Sequence, residues 1–168
     1  MHIRQEQSSD ESVIEAVTYS AFENHPHHEP GAKPTEHLMI QKLRDSHALS
    51  LSLVAEDETG IIGHIAFSPV DINGESSGWF GLGPVSVLPD RQSEGIGGAL
   101  IRQGIEQIKQ MGGQGIVLLG EPEYYHRFGF KAQPELTLQG VPAEYFLSYS
   151  LVEAPLPIGE VVYHSAFS

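Results

Sequence analysis

The segment at residues 92–98, Gln-Ser-Glu-Gly-Ile-Gly-Gly, sets glycines at 95, 97 and 98 between an apolar run at 85–88 and an amphipathic run. Glycines at a strand-to-helix corner let the main chain approach a ligand closely, and the unpaired N–H groups of a first helical turn point at whatever lies there. Reinforced by the helix dipole, such a corner holds phosphate, and a pyrophosphate is the natural occupant. The letters exclude two common phosphate loops. A Walker loop needs Gly-Lys followed by Ser or Thr, which does not occur. A Rossmann fingerprint places glycine where Leu100 stands and opens an N-terminal βαβ unit, whereas several strand-like runs precede this corner.

The elements that must position the corner can be read from periodicity. A short strand at 2–7 leads to a helix begun by Ser8 or Ser9, with Val13, Val17 and Phe22 expected toward one apolar side. A His- and Pro-rich loop follows, then a second helix capped by Thr35, with Leu38, Ile40 and Leu43 as apolar contacts. Residues 49–56, 61–72 and 79–88 form three β-rich runs, separated by Asp-Glu-Thr-Gly and Asn-Gly-Glu-Ser-Ser-Gly, and are expected as an antiparallel meander. From 95 to 111 the period becomes helical through Leu100, Ile101, Ile105 and Ile108, and Gly112-Gly113 stops the helix. The continuous apolar run at 115–120 fits a buried parallel strand, so 85–119 has the form of a strand–helix–strand crossover. Two closing strands are expected at 145–152 and 160–167.

With 168 residues, 40% of them apolar, the chain is expected to form one domain over residues 1–168. The absence of cysteine excludes disulfides, a thiolate nucleophile and a Cys-based zinc site. No run near twenty apolar residues occurs and the first twelve residues lack a secretory layout, so a soluble, cytoplasmic protein is expected. A net charge of −13 repels polyanions, which argues against nucleic acid or an anionic membrane as partner and favours a cationic substrate. Of the nine cations, Arg91, Arg102, Lys109, Arg127 and Lys131 fall around the glycine corner, consistent with a local anion site.

Residues 81–104 (GLGPVSVLPDRQSEGIGGALIRQG), followed by 115–130 (GIVLLGEPEYYHRFGF), resemble the GNAT superfamily of acetyl-CoA-dependent N-acyltransferases. The likeness extends to 61–70 (IIGHIAFSPV) as a third strand and to 143–164 as a closing hairpin. It implies an α/β fold of the acyl-CoA N-acyltransferase type. That fold has a mixed, mostly antiparallel sheet of six to seven strands, helices on both faces, and a splay between strands four and five. It also implies acetyl-CoA as co-substrate, no metal, and a primary amine acceptor.

On matching positions, Val85, Ser86 and Val87 would offer main-chain groups to the pantetheine arm. Arg91, Gln92, Ser93, Glu94, Gly95, Ile96, Gly97 and Gly98 would form the pyrophosphate loop. Many members carry glycine at Ser93 and a basic or neutral residue at Glu94; a carboxylate there repels pyrophosphate by about 1 kcal/mol in a wet setting, so Glu94 is expected to point outward. The resemblance makes Tyr125, four residues before Gly129, the acid that protonates the leaving thiolate, with Tyr124 a packing neighbour. For the base the candidates are Glu121, His64, Glu23 or an ordered-water path, with Glu121 preferred because the splayed strands end there.

His25, His27, His28 and Glu29 invite a metal, but the interrupting prolines argue for a loop bordering the acceptor pocket instead. Trp79 is expected to fill the core or a contact in a homodimer. Two rival functions stand beside acetyl transfer: a non-catalytic acyl-CoA-binding sensor or partner-binding module on the same fold, and a nucleotide-dependent kinase, which lacks its lysine and Mg²⁺-ligand pattern.

Overall fold

The computed structural model describes residues 1–23 and 31–168. In chain order these form β1 (His2–Gln5), α1 (Glu11–Phe22), α2 (Glu36–Asp45), β2 (Leu51–Asp57), β3 (Gly60–Ile72), β4 (Glu75–Val87), α3 (Ile96–Gln110), β5 (Gly115–Leu119), α4 (Pro122–Tyr125), β6 (Lys131–Ala132), β7 (Leu136–Thr137), β8 (Phe146–Ser150) and β9 (Gly159–Tyr163). The sheet runs β1-β2-β3-β4-β5-β8-β6, with β9 paired to β3 and β7. Seven strands of four or more residues carry it among the described residues, joined by the two-residue β6 and β7.

Side-chain alternation in β2 assigns the helices to opposite faces. Leu51, Leu53 and Ala55 pack with Ile96, Leu100, Ile101 and Ile108 of α3, whereas Val54 packs with Ile14 of α1 and Ile40 of α2. Helix α3 comes unusually close to the sheet at Gly104, where an added Cβ would lie 2.4 Å from the Phe67 ring. The β3–β4 hairpin closes through Asn73 and Gly74, with φ of 54° and 78°, the two left-handed residues that match strand twist.

Strands β4 and β5 pair in parallel from Trp79↔Gly115 to Gly81↔Val117. Beyond that point β5 remains paired to β8 along its length, while β4 continues to Val87 bonded only to β3. A register shift between Ile65 and Phe67 gives β4 an extra residue where the two strands part. The expected splay is present.

Several details differ from the sequence reading. Helix α1 begins after a 3₁₀ turn at Ser8–Asp10, stabilised by the Gln7 N–H donating to Asp10 at 2.7 Å, so neither serine caps it. Its buried residues are Ile14, Val17 and Thr18; Val13 is 41% exposed, as the 12-residue helix begins later and its inward stripe is rotated. Leu38 is exposed, while Ile40 and Leu43 are buried. The closing strands do not form a hairpin: β8 adds to β5, and β9 crosses to pair Val70↔Tyr163 in β3. The last strand stops at Tyr163, and Ser165–Phe167 turns as 3₁₀. Trp79 is buried among Val117, Leu136 and Phe146.

Candidate active site

The parting of β4 from β5 opens a cleft of about 710 Å³ lined by Val85, Val87, Arg91, Gln92, Ser93, Gly95, Ile96, Gly97, Gly98, Arg102, Tyr124, Arg127 and Phe128. One wall is the free edge of β4. The Leu88 N–H donates to the Ile62 carbonyl of β3 at 3.0 Å, so alternation along an antiparallel ladder turns the Ser86 main chain to β3 and those of Val85 and Val87 to the cleft. Gln92 Nε2 donates to the Val87 carbonyl at 3.2 Å, tying the loop to the strand. The side chain of Gln92 therefore serves the loop's geometry.

At the cleft's other end Gly95 caps α3 with φ 85°, the left-handed region that favours glycine. The Ala99 N–H closes the first turn on the Gly95 carbonyl, which leaves the N–H groups of Ile96, Gly97 and Gly98 at an uncapped helix start. Ser93 also has φ 66°, a physical reason for the glycine common at that place in the pattern it resembles. Gly97 faces the Tyr124 hydroxyl across the cleft, where an added Cβ would stand 3.6 Å from it in ordinary contact.

The cations sort themselves. Arg91, Arg102 and Arg127 line the cleft, whereas Lys109 lies in the last turn of α3 and Lys131 on β6, away from it. Arg102 lies over the Phe128 ring and Arg127 over the Tyr124 ring, each at 4.8 Å from the ring centre, so cation–π attraction holds both guanidiniums at the wall. Arg91 is tethered to Asp57 at 2.8 Å and to Glu94 at 3.2 Å. Hydrogen bonds from Thr59 and then Arg91 hold the Asp57 carboxyl down at about 2. Glu94 thus spends its charge on Arg91 and is absent from the lining. Asp57, forty residues from the corner, gave no sign of this role in the sequence.

Tyr125 sits in the α4 turn that follows β5, packed near Phe128 and Phe130 with ring centres 6.1 Å away from each. Burial, with a smaller contribution from Tyr124, pushes its phenol up to about 12. It is therefore protonated throughout the neutral range and able to donate. Its ring leans on Gly120, where a Cβ would lie 2.5 Å from Cε2, so Gly120 is a positioning residue that sequence reading missed. Tyr124, expected only to pack, lines the cleft.

Of the base candidates, Glu121 is exposed at the N-terminus of α4, and its main-chain carbonyl accepts from the Tyr124 and Tyr125 N–H groups. Glu23 is exposed at the C-terminus of α1. His64 is fully buried in β3. Burial, partly opposed by the Glu6 charge, lowers its imidazole to about 4, so it is neutral. His25, His27, His28 and Glu29 lie outside the described residues. Among the described residues no helix is long and apolar enough to cross a membrane.

A cleft of main-chain donors between a free strand edge and a glycine-opened helix is also what known proteins share with this chain. The family profile of the acetyltransferase (GNAT) domain matches residues 48–132. The chain belongs to the GNAT acetyltransferase family. The uncharacterised N-acetyltransferase YhbS of Escherichia coli is 35% identical over 132 residues, 78% of this chain and 74% of that protein. Among solved structures, a GNAT acetyltransferase from Brucella melitensis in complex with acetyl-CoA is 46% identical with a TM-score of 0.85, covering 99% of this chain and 97% of its own. YhbS from Escherichia coli in complex with CoA superposes with a TM-score of 0.88 at 31% identity, covering 99% and 91%. The GNAT assignment accounts for the parted strands, which the profile's span includes.

Proposed function

We propose that the protein transfers the acetyl group of acetyl-CoA to a primary amine of a cationic small molecule or peptide. The reading rests chiefly on one observation: the free edge of β4 at Val85 and Val87 leads directly to the uncapped start of α3. A pantetheine arm has alternating amide donors and acceptors, and such an edge is a ready strand partner for it. The loop from Arg91 to Gly98 then receives the pyrophosphate through main-chain N–H groups, with Arg102 and Arg127 beside it. The complexes of the two GNAT neighbours with acetyl-CoA and CoA support the same donor.

Bound there, acetyl-CoA supplies an acyl group activated as a thioester. Tyr125, kept protonated by its burial, gives its proton to the departing sulfur. Glu121, exposed where β5 ends, takes a proton from the incoming ammonium at the cleft mouth. Helix α3 closes one face of the splayed sheet, so the amine enters on the face that carries α1. The net charge of −13 attracts a cation to that mouth.

The test is to incubate the protein with acetyl-CoA and spermidine, an aminoglycoside or a peptide with a free N-terminus, and to follow free thiol. Amine-dependent thiol release is expected from at least one. Tight acetyl-CoA binding with no release from any of them would favour the sensor, and a larger thermal shift with ATP than with acetyl-CoA would favour the kinase.

A further inference from the structure

Beneath α1, β3 and β4 carry buried polar atoms without partners. His64 Nδ1, Ser68 Oγ and Ser86 Oγ on the strands, Thr18 Oγ1 on α1 and the Tyr163 hydroxyl on β9 are all buried and lack a hydrogen bond. His64 and Ser86 are cross-strand partners on one face, and Tyr163 covers Gly81, the last residue before β4 and β5 part. Buried polar groups are almost always satisfied, so a layer of orphans beside a reaction cleft calls for an occupant such as water or substrate.

The other side of His64 is not orphaned. Its Nε2 lies 2.7 Å from Ser52 Oγ, and Ser52 Oγ donates to Glu6 Oε1 at 2.5 Å. Burial pushes the Glu6 carboxyl up, but hydrogen bonds from Arg44 and Ser52 outweigh it and hold it below the ordinary range. A carboxylate only accepts, so the single Ser52 proton goes to Glu6, and His64 must donate its Nε2–H to Ser52. That leaves Nδ1 as a bare lone pair among the orphans, on the strand paired with the cleft-edge strand β4. Glu6 and Arg44, ion-paired at 2.9 Å, line a separate open pocket of about 580 Å³. The chain therefore runs from a buried base to solvent.

We infer that His64, Ser52 and Glu6 form a proton exit that carries the acceptor amine's second proton from the α1 face of the cleft to solvent. The inference rests on the proposed acetyl transfer. As a C–N bond forms and the C–S bond breaks, an ammonium nitrogen gives up two protons while the sulfur takes one, so one proton per turnover must leave. The first is taken at the mouth by Glu121 and balances the one Tyr125 donates. The second enters His64 Nδ1, directly or through water held by Ser86 and Thr18. His64 passes its Nε2 proton to Ser52, Ser52 passes its own to Glu6, and Glu6 releases it to water. After the product leaves, Nδ1 gives its proton to water in the emptied cleft and Nε2 regains one from solvent through Glu6 and Ser52, which restores the starting tautomer. His64 is a weak base, but the nitrogen becomes a strong acid once bonded to the acyl carbon, so a neutral imidazole suffices.

Two readouts decide it. In ¹⁵N NMR of the ligand-free protein at pH 7, the ring signals lost in His64→Gln should report the Nε2-protonated, Nδ1-bare tautomer. A Nδ1-protonated ring would overturn the exit. In kinetics with the best acceptor of the amine panel, Glu6→Gln and Ser52→Ala should each lower kcat by roughly 10- to 100-fold with KM for acetyl-CoA unchanged. The curved dependence of wild-type kcat on solvent deuterium content should straighten in Ser52→Ala. Unchanged kcat, or an equal loss in acetyl-CoA affinity, overturns the exit while leaving acetyl transfer intact. Failure of the wild type to release thiol with every amine removes acetyl transfer and the exit together.

Discussion

Residues 85–87 of β4 separate two surroundings. Toward β5, Val85 and Val87 face an open cleft of glycines, an uncapped helix start and three arginines. Toward α1, the Ser86 side chain lies in a buried polar layer with Thr18, His64 and Ser68, which Ser52 links to Glu6. The open side handles charge with main-chain dipoles and surface cations, and the buried side with one directed chain of side chains. A bound anion can be held by groups that never change protonation. A departing proton needs groups that do, and these work best where water cannot bypass them.

Substitutions at Tyr125, whose ring packs with Phe128 and Phe130 after β5, should have the largest effect, because it is the proposed acid. Tyr125→Phe is expected to lower kcat about 100-fold while the acetyl-CoA Kd stays unchanged by calorimetry. Unaltered turnover would remove Tyr125 as the acid.

Acidification should act on the buried side. Above pH 6.5 His64 is neutral in both folded and unfolded chains. Between 6.5 and its folded value of about 4 the unfolded chain binds a proton that the folded chain refuses, so stability falls with pH and then levels for this group. The loss approaches about 3 kcal/mol. Urea midpoints at pH 7, 6 and 5 should drop more steeply for wild type than for His64→Gln, and equal slopes would contradict a neutral buried ring.

Smaller effects belong to the open side. Gly95→Ala puts a Cβ on a backbone with φ 85°, which costs about 1–2 kcal/mol and should weaken acetyl-CoA binding about tenfold without altering the pH dependence of stability. Glu94→Gln frees one partner of Arg91 at an exposed pair and should tighten acetyl-CoA binding by roughly two- to threefold at low salt. That gain should vanish at high salt, where exposed charges are screened.

The open side was legible because its parts are neighbours in the chain. Residues 85–98 carry the strand edge, the loop and the helix start in one stretch, and hydrophobic periodicity gave β4, α3 and β5 nearly their observed limits. The buried side was not, since Glu6, Ser52 and His64 belong to three segments that meet only after β1, β2 and β3 pair. His64 was visible as a titratable residue on a strand, but its tautomer depends on a carboxylate 58 positions away. The same limit explains Asp57 beneath Arg91. It also explains β9, whose pairing with β3 rather than β8 is decided by burial of Val161 and Tyr163 against Val70 and Trp79.

A crystal structure of the protein with acetyl-CoA tests the central assignment most directly. The pantetheine amides should lie along Val85 and Val87 as an added strand, the pyrophosphate at the N–H groups of Ile96, Gly97 and Gly98, and the sulfur within hydrogen-bond reach of the Tyr125 hydroxyl. Density for the thioester anywhere outside the β4–β5 cleft, or a sulfur remote from Tyr125, would contradict it.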